Sequence, residues 1–499
     1  MKVMNKEITD YWLTAELNAE FERLRSLPPR DIRQEALENY LSGYFGERCP
    51  RSEEIYRRAA NIIPGAVQHN QAFNYPFPIV INKASGAHLE DVDGNRYIDF
   101  LQGGGTTLLG TNPQPVREKL GSLMEDCGPV TCLFHEYELK LAEFIVERFP
   151  GVEMFRMLGS GTEADMGAIR LARVATGKKS IIKLGAGFHG WSDQLSFAQR
   201  IPGIGSFECH GIPKEIFRHI QEAYPGDLGS LKRVLVRNRL RGGTAAVILE
   251  PMGPESGTRP LPPDYAAGVR ALCDEFGSLL IFDEVVTGFR MGMSGAQGLL
   301  GVVPDLTSFG KIVAGGYPAA GGLGGKREYM QRLAGGLGGK KGKKAHVGGT
   351  LAANPLSCAA GFHTLSELER INGPEKAAVM GERLTAGLRK LTEKYGLPYV
   401  AYNQGSMVHL ETTGPILFDL DKKRFWKIPA MIKELYRRKD IMVRLGAAFT
   451  AEGLVTVGGS RMFTNAAFTE EIIDDALERF ERVFKNIEGV QAGSQGLNS

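Results

Sequence analysis

A chain of 499 residues, 43% hydrophobic and 23% charged, is long enough for two or three domains and a large buried core. Its 60 basic and 57 acidic side chains nearly cancel to a net charge of +3, which leaves no bulk electrostatic case for nucleic acid or a membrane surface as partner. No apolar run approaches the roughly 20 residues a membrane helix needs, Met1 to Glu7 lacks the apolar core of a secretory signal, and the cysteines, without CxxC or metal spacing, read as reduced thiols of a cytoplasmic protein.

Residues 1–50 are charged and patterned like helices, as in Tyr11 to Leu27, with Pro28-Pro29 breaking the run. They are expected to form a helical extension packing on the body or on a partner subunit. Residues 51–105 carry a helix and short strands, with Asp91-Val92-Asp93-Gly94-Asn95-Arg96-Tyr97 as a hairpin signal; this segment is expected to join the smaller domain. From 106 to 370 short apolar strands alternate with amphipathic helices, for example Ser180 to Leu184, Ala245 to Leu249 and Leu279 to Phe282. That alternation predicts an α/β fold, a mainly parallel sheet between helices. From 371 to 499, two long helical stretches flank strands expected around 398–412 and 440–460, a smaller α+β domain. Gly335 to Gly349, containing Lys340-Lys341-Gly342-Lys343-Lys344, predicts a mobile, solvated loop in preference to a nucleic-acid contact.

Within the central region, Met154 to Leu158 reads as a strand, then Gly159-Ser160-Gly161-Thr162-Glu163-Ala164 opens a helix. A Gly-rich turn at a helix start presents free N–H groups and the positive end of the helix dipole, so Ser160, Gly161 and Thr162 are candidates to hold a phosphate. Taken alone, the turn reads at least as well as an ordinary capped helix start. It also satisfies the dinucleotide pattern G-x-G-x-x-A, which makes a nicotinamide-dependent oxidoreductase a rival. That pattern needs an acid about 20 residues on for the ribose. The next strand instead ends Lys183-Leu184-Gly185-Ala186-Gly187, so a monophosphate cup is the better reading.

Asp283 closes the apolar strand Leu279 to Phe282, and Lys311 sits between Gly310 and Ile312-Val313-Ala314-Gly315-Gly316. These are the two groups that pyridoxal phosphate most needs. A lysine amine forms a Schiff base with its aldehyde, and a carboxylate keeps its pyridine nitrogen protonated. The pair alone is weak evidence, because acids at strand ends and lysines near glycines are common. The surrounding text, Asp283-Glu284-Val285-Val286-Thr287-Gly288-Phe289-Arg290 and then Pro304-Asp305-Leu306-Thr307-Ser308-Phe309-Gly310-Lys311, resembles the signature of the class III (fold-type I) aminotransferases. Within them it is most similar to the glutamate-1-semialdehyde aminomutase-like branch. The resemblance runs from about Ser52 to Gly361 and more loosely beyond.

The resemblance implies that 106–370 is the large pyridoxal-phosphate-binding domain, that Lys311 is the Schiff-base lysine and that Asp283 partners the pyridine nitrogen. It implies that Val285 packs on one ring face and that Ser160-Gly161-Thr162 is the phosphate turn. Phe188 stands where an aromatic stacks on the ring. His189 beside it is read as a hydrogen-bonded histidine behind the site in preference to a general acid or base. Glu250 would lie near the 3-oxygen side. Thr350, in Gly348-Gly349-Thr350-Leu351-Ala352-Ala353-Asn354-Pro355, matches a threonine that reaches the neighbouring subunit's phosphate in relatives, implying a homodimer with shared active sites. Without the family, Thr350 is an ordinary turn residue. No metal ligand set is expected.

Substrate recognition departs from the branch. Gln71 stands where the aminomutases carry a carboxylate-binding arginine, and Gly104 stands where relatives carry Trp. A neutral amide cannot replace a bidentate guanidinium, and losing an indole enlarges the pocket. Arg444 and Arg461 are candidate replacements, each more simply read as a structural arginine. The expectation is a transaminase moving an amino group between an amine or amino acid, aryl and β-amino acids included, and a keto acceptor; the alternative is an intramolecular aminomutase. A non-catalytic cofactor-binding regulator would not need Lys311 together with Asp283.

Overall fold

The fold is described from a computed structural model covering residues 15–207, 209–335, 342–418 and 428–490. Residues 1–14, and with them the start of the helix expected from Tyr11, lie outside the described residues, as do Lys340 and Lys341 of the lysine-rich segment.

The central sheet has seven strands: β1 (Met154–Leu158), β2 (Ser180–Leu184), β3 (Ile220–Ala223), β4 (Thr244–Leu249), β5 (Leu279–Asp283), β6 (Leu306–Gly310) and β7 (Gly321–Gly325). Their order across the sheet is β1-β7-β6-β5-β4-β2-β3. Only β7 runs antiparallel to its neighbours. The remaining strands therefore all end at one edge, where open α/β sheets form their ligand crevice.

Side-chain alternation explains the layers. Ile181, Ala246, Ile248 and Ile281 face the helix Gly161–Thr176, while Ile182, Val247, Leu249, Leu280 and Phe282 face the helices Leu228–Arg239 and Tyr265–Phe276. A strand buried on both faces reads as an unbroken apolar run, which is why these strands were legible without alternation. Gly321 permits a close approach: a Cβ there would lie 2.3 Å from the Ser160 carbonyl oxygen. The absence of a side chain at that position lets β7 sit directly beneath the turn that follows β1.

The expected hairpin is present, with His88–Asp91 pairing antiparallel to Arg96–Asp99 in register His88 to Ile98. Leu454–Val455 adds to it in parallel. A third sheet joins Val400–Gln404, Met407–Glu411 and Arg461–Phe463. Arg290, fully buried, ties this sheet to the main body. It donates to Ser406 Oγ at 2.9 Å and to the Gly105 carbonyl at 2.7 Å, and stacks over Phe463.

One expectation holds only in part. Of the strand expected around 440–460, Leu454–Val455 is present, but the stretch before it belongs to the helix Ile428–Ala451. Ile441, Leu445, Ala448 and Phe449 bury one helical stripe in the C-terminal core. The β-branched and apolar Ile441-Met442-Val443 mimicked a strand because short apolar runs do not report their period. At the other end, the helix Ala15–Ser26 packs Leu17 and Leu24 into a core with Met252 and Tyr402. Arg438 donates to the carbonyls of Leu24, Arg25 and Leu27 at 2.7–3.3 Å, fixing that helix end.

Candidate active site

The site is assembled at the shared strand edge. The turn after β1 brings Ser160, the loop after β2 brings Phe188 and His189, and the ends of β4, β5 and β6 bring Glu250, Asp283 and Lys311. Asp283 is buried at the centre. Its Oδ2 lies 2.7 Å from His189 Nδ1, and its Oδ1 accepts from the Val285 N–H at 3.0 Å. Burial above all, opposed by the Asp283 contact, holds the imidazole below its usual range. A neutral His189 therefore donates from Nδ1, and its Nε2 is left without a hydrogen-bond partner.

Glu250 is the second buried acid. It accepts three backbone N–H bonds, from Phe188 (2.9 Å), Glu255 (2.9 Å) and Ser256 (2.7 Å). Desolvation, then the charges of Asp283 and Glu255, raises its carboxyl to about 8. Glu250 thus fixes the backbone of the Phe188 loop. Phe188 itself is 43% exposed, an apolar face with nothing packed over it in the single chain.

Lys311 follows Gly310 with φ +48°, a left-handed conformation unusual for a side-chain-bearing residue. Such backbone costs on the order of 1–2 kcal/mol and persists where surrounding structure fixes it. Here the helical turn Lys311–Ala314 and the glycine after it hold the geometry. Desolvation lowers the Lys311 amine; the negative charges of Asp283 and Glu250 pull the other way, and the positive charges of Arg461 and Arg290 add to the lowering. Val285 packs between the turn and the lysine: a Cβ on Gly161 or on Gly310 would come within 2.7 Å of it.

At the far end, the Ser160 hydroxyl accepts from the Glu163 N–H at 3.2 Å and Glu163 accepts from the Gly159 N–H at 2.9 Å. The capped-start reading of Ser160 is therefore realised in the single chain. It leaves the first N–H groups of the sixteen-residue helix Gly161–Thr176, those of Gly161 and Thr162, for a ligand. Gly190, with φ +82°, seats the Phe188-His189 loop on this turn; a Cβ there would meet Thr162 Oγ1 at 2.3 Å. Thr350 is not part of this cluster. It is exposed on the loop that precedes the helix Pro355–Arg370.

The two substrate-side departures adjoin, since a Cβ on Gly104 would lie 3.3 Å from Gln71 Oε1. Arg444 is ion-paired with Asp31. Arg461 donates from Nη1 to the Glu255 carbonyl at 2.8 Å and lies 3.4 Å from its carboxylate. Two buried groups escaped sequence reasoning. Lys183, in the middle of β2, donates to the carbonyls of Gly187, Leu195 and Phe197. Asp165, on the second turn of the Gly161–Thr176 helix, lies with His189 and Asp283 so that one polar atom of each falls within 4.8 Å of the others.

Comparison with known proteins agrees with this architecture. Residues 70–484 match the family profile described as aminotransferase class-III. A relative from Shouchella clausii, "Glutamate-1-semialdehyde 2,1-aminomutase 2", is 34% identical over 445 residues, 88% of this chain and 98% of its own. Among solved structures, an omega-transaminase from Sphaerobacter thermophilus superposes with a TM-score of 0.78 at 25% identity, covering 89% of this chain and 99% of its own. A beta-phenylalanine aminotransferase from Variovorax paradoxus superposes with a TM-score of 0.72 at 26% identity, covering 90% and 96%.

Proposed function

The chain belongs to the class III aminotransferases, and on that premise we propose that it moves an amino group between an amine or amino acid and a keto acceptor with pyridoxal phosphate held between Lys311 and Asp283. The observation that carries the assignment of residues is the convergence of Lys311, Asp283, His189 and Glu250 at one edge of the sheet. The residues fit the cofactor. A desolvated amine faces buried acids, a helix start offers free N–H groups for a phosphate, and the unpartnered His189 Nε2 and the bare face of Phe188 both belong to the loop that borders that space.

When bound, pyridoxal phosphate supplies an electron sink for the charge left on the amino-bearing carbon. The protein's share is positional. Lys311 Nζ would be the covalent anchor and the base that moves the proton at that carbon; desolvation lowers its basicity, which suits an amine to both roles. Asp283, which accepts from His189 Nδ1 and from the Val285 amide, would accept the ring N–H. Val285 and Phe188 would pack on the ring. Ser160, Gly161 and Thr162 would hold the phosphate through the helix start.

The second subunit belongs to the same proposal. Thr350 is exposed, and the apolar side chains Leu133, Phe134 and Leu351 around the adjacent 520 Å³ cavity are each more than half exposed. A second copy covering this face would carry Thr350 to the partner's phosphate and bury that surface. The setting is proposed to be cytoplasmic, in keeping with six cysteines not joined in disulfides; among the described residues no helix is long and apolar enough to cross a membrane.

For the substrate, we favour intermolecular transfer with an aryl or β-amino acid, because Gln71 and Gly104 together leave an uncharged, open corner. Losing a charge-assisted carboxylate contact costs about 1.5–3 kcal/mol, or roughly 10–100-fold in specificity. The similarity to a β-phenylalanine aminotransferase supports this reading, and the 34% identity to an aminomutase supports the alternative. The experiment mixes cofactor-loaded protein with a panel of amines and with glutamate-1-semialdehyde. Loss of the visible absorbance with aryl or β-amino donors, and its return with a keto acid, is expected. Efficient formation of 5-aminolevulinate without an added acceptor would overturn the substrate reading.

A further inference from the structure

We propose that Asp165 is a positioning residue that stays a neutral carboxylic acid and donates its proton to Asp283, so that the ring-binding carboxylate is held from behind by two donors, Asp165 and His189. The observations are geometric. Asp165 is 1% exposed, so its carboxyl is shielded from water beside that of Asp283. One polar atom each of Asp165, His189 and Asp283 falls within 4.8 Å of the others. Its Oδ1 has no hydrogen-bond partner in the single chain.

Two carboxyl groups this close and shielded from water strongly disfavour ionisation of both. The neighbours decide which one gives way. Asp283 already accepts from the Val285 N–H and from His189 Nδ1, and Lys311 lies in its field. Asp165 faces Asp283 and Glu250, which disfavour its charge, and the Ser308 hydroxyl, which favours it. Burial and the Asp283 charge push it well above the usual carboxylate range. The proton therefore resides on Asp165. The start of the Gly161–Thr176 helix favours a negative charge near its free N–H groups, but Asp165 lies beyond them in the second turn.

A neutral donor behind Asp283 has a functional consequence. It keeps that carboxylate anionic while drawing off part of its charge, and so tempers its pull on any cationic ligand in front of it. The first test needs no cofactor. The infrared difference spectrum between the wild-type apoprotein and Asp165→Asn, at pH 7 to 8, is expected to show loss of a protonated-carboxyl band. Loss of carboxylate bands alone would overturn the proposal, as would a stoichiometric divalent metal ion in the purified wild type that is missing from Asp165→Asn.

The second test rests on Asp283 as the ring partner. The visible absorbance of the loaded protein is titrated in Asp165→Asn, which keeps a donor, and in Asp165→Leu, which matches the volume without one. The midpoint is expected to stay near wild type in Asp165→Asn and to rise by about one pH unit in Asp165→Leu. Equal midpoints in the two variants, with both proteins folded by circular dichroism, would overturn it by marking Asp165 as space-filling. If the infrared result holds while neither variant nor Asp283→Asn moves the midpoint, the protonated acid stands and it is the assignment of Asp283 to the ring that fails.

Discussion

Lys183 gives a quantitative test of how the loop bearing Phe188 and His189 is held. The side chain is fully buried, and Nζ donates to the carbonyls of Gly187 at 2.8 Å, Leu195 at 3.1 Å and Phe197 at 2.7 Å. Desolvation lowers the ammonium from 10.5 to about 8, against the raising pull of Glu222 and Glu250. Lys183→Met conserves length and leaves three carbonyls without a donor. At about 1–3 kcal/mol for each such group, less the desolvation penalty that departs with the charge, the loss at pH 7 is expected to be about 2–4 kcal/mol. The pH dependence has a definite sign. The folded-state value lies below the unfolded one, so between pH 8 and 10.5 the unfolded chain holds a proton that the folded chain has released. Wild-type stability gains from this residue as pH rises, by about 1.4 kcal/mol per unit and about 3 kcal/mol across the window, and loses it as pH falls through 8. The assay is urea unfolding of the apoproteins at pH 7, 8.5 and 10, with the wild-type-minus-variant difference isolating Lys183 from other groups. A difference that does not grow between pH 8 and 10 would refute the reasoning, as would a variant within about 0.5 kcal/mol of wild type at pH 7.

Lys311→Ala is expected to abolish turnover and leave the fold intact, and borohydride reduction of the loaded wild type is expected to place the cofactor on the Lys311 peptide; recovery on another lysine would remove the assignment. Asp283→Asn should still bind pyridoxal phosphate but lose on the order of 10²-fold or more in rate, as for other removed electrostatic partners; near-normal rates would show that another group serves the ring. Thr350→Ala should weaken cofactor affinity. Mixing it with Lys311→Ala subunits places both defects in one site of the heterodimer and leaves the other site whole. Activity recovered on exchange is expected, and none recovered despite demonstrated exchange would end the shared-site reading.

The residues that announce themselves in this sequence are those flanked by backbone signals. Lys311 sits among glycines and Asp283 ends an unbroken apolar run, because a strand buried on both faces and a left-handed turn each leave a compositional mark. The turn at Ser160 was legible for the same reason. Asp165 and Lys183 were not picked out, although their signals exist. Asp165 shares the stripe Asp165, Ala168, Ile169 and Ala172, all buried, which is the i, i+3, i+4, i+7 spacing of an inward helix face. Lys183 interrupts the all-buried strand Ser180–Leu184. An ionisable residue on an apolar period is the mark of a buried charge or acid, but reading it requires knowing that the outer face is also covered. The helix Ile428–Ala451 was missed for the opposite reason, since its apolar residues crowd locally and conceal their period.

The charge arrangement of the site distinguishes what is common to the family from what is particular to this chain. Along the long axis of the crevice, the free N–H groups of the Gly161–Thr176 helix make one end positive, and Asp283, backed by His189 and Asp165, makes the centre negative. A ligand with a dianionic phosphate at one end and a cationic ring nitrogen at the other gains from both only in one orientation. That orientation would bring its reactive carbon towards Lys311, whose basicity is lowered by the same desolvation that strengthens the field. None of these groups distinguishes transfer to a second substrate from transfer within one. That choice lies where Gln71 faces Gly104 and Arg461 is engaged by Glu255. An arginine already bonded to a carbonyl and close to a carboxylate must give up those contacts before it can clamp a substrate carboxylate. The uncharged corner at Gln71 requires no such exchange, which is why the argument for a bulky donor rests there.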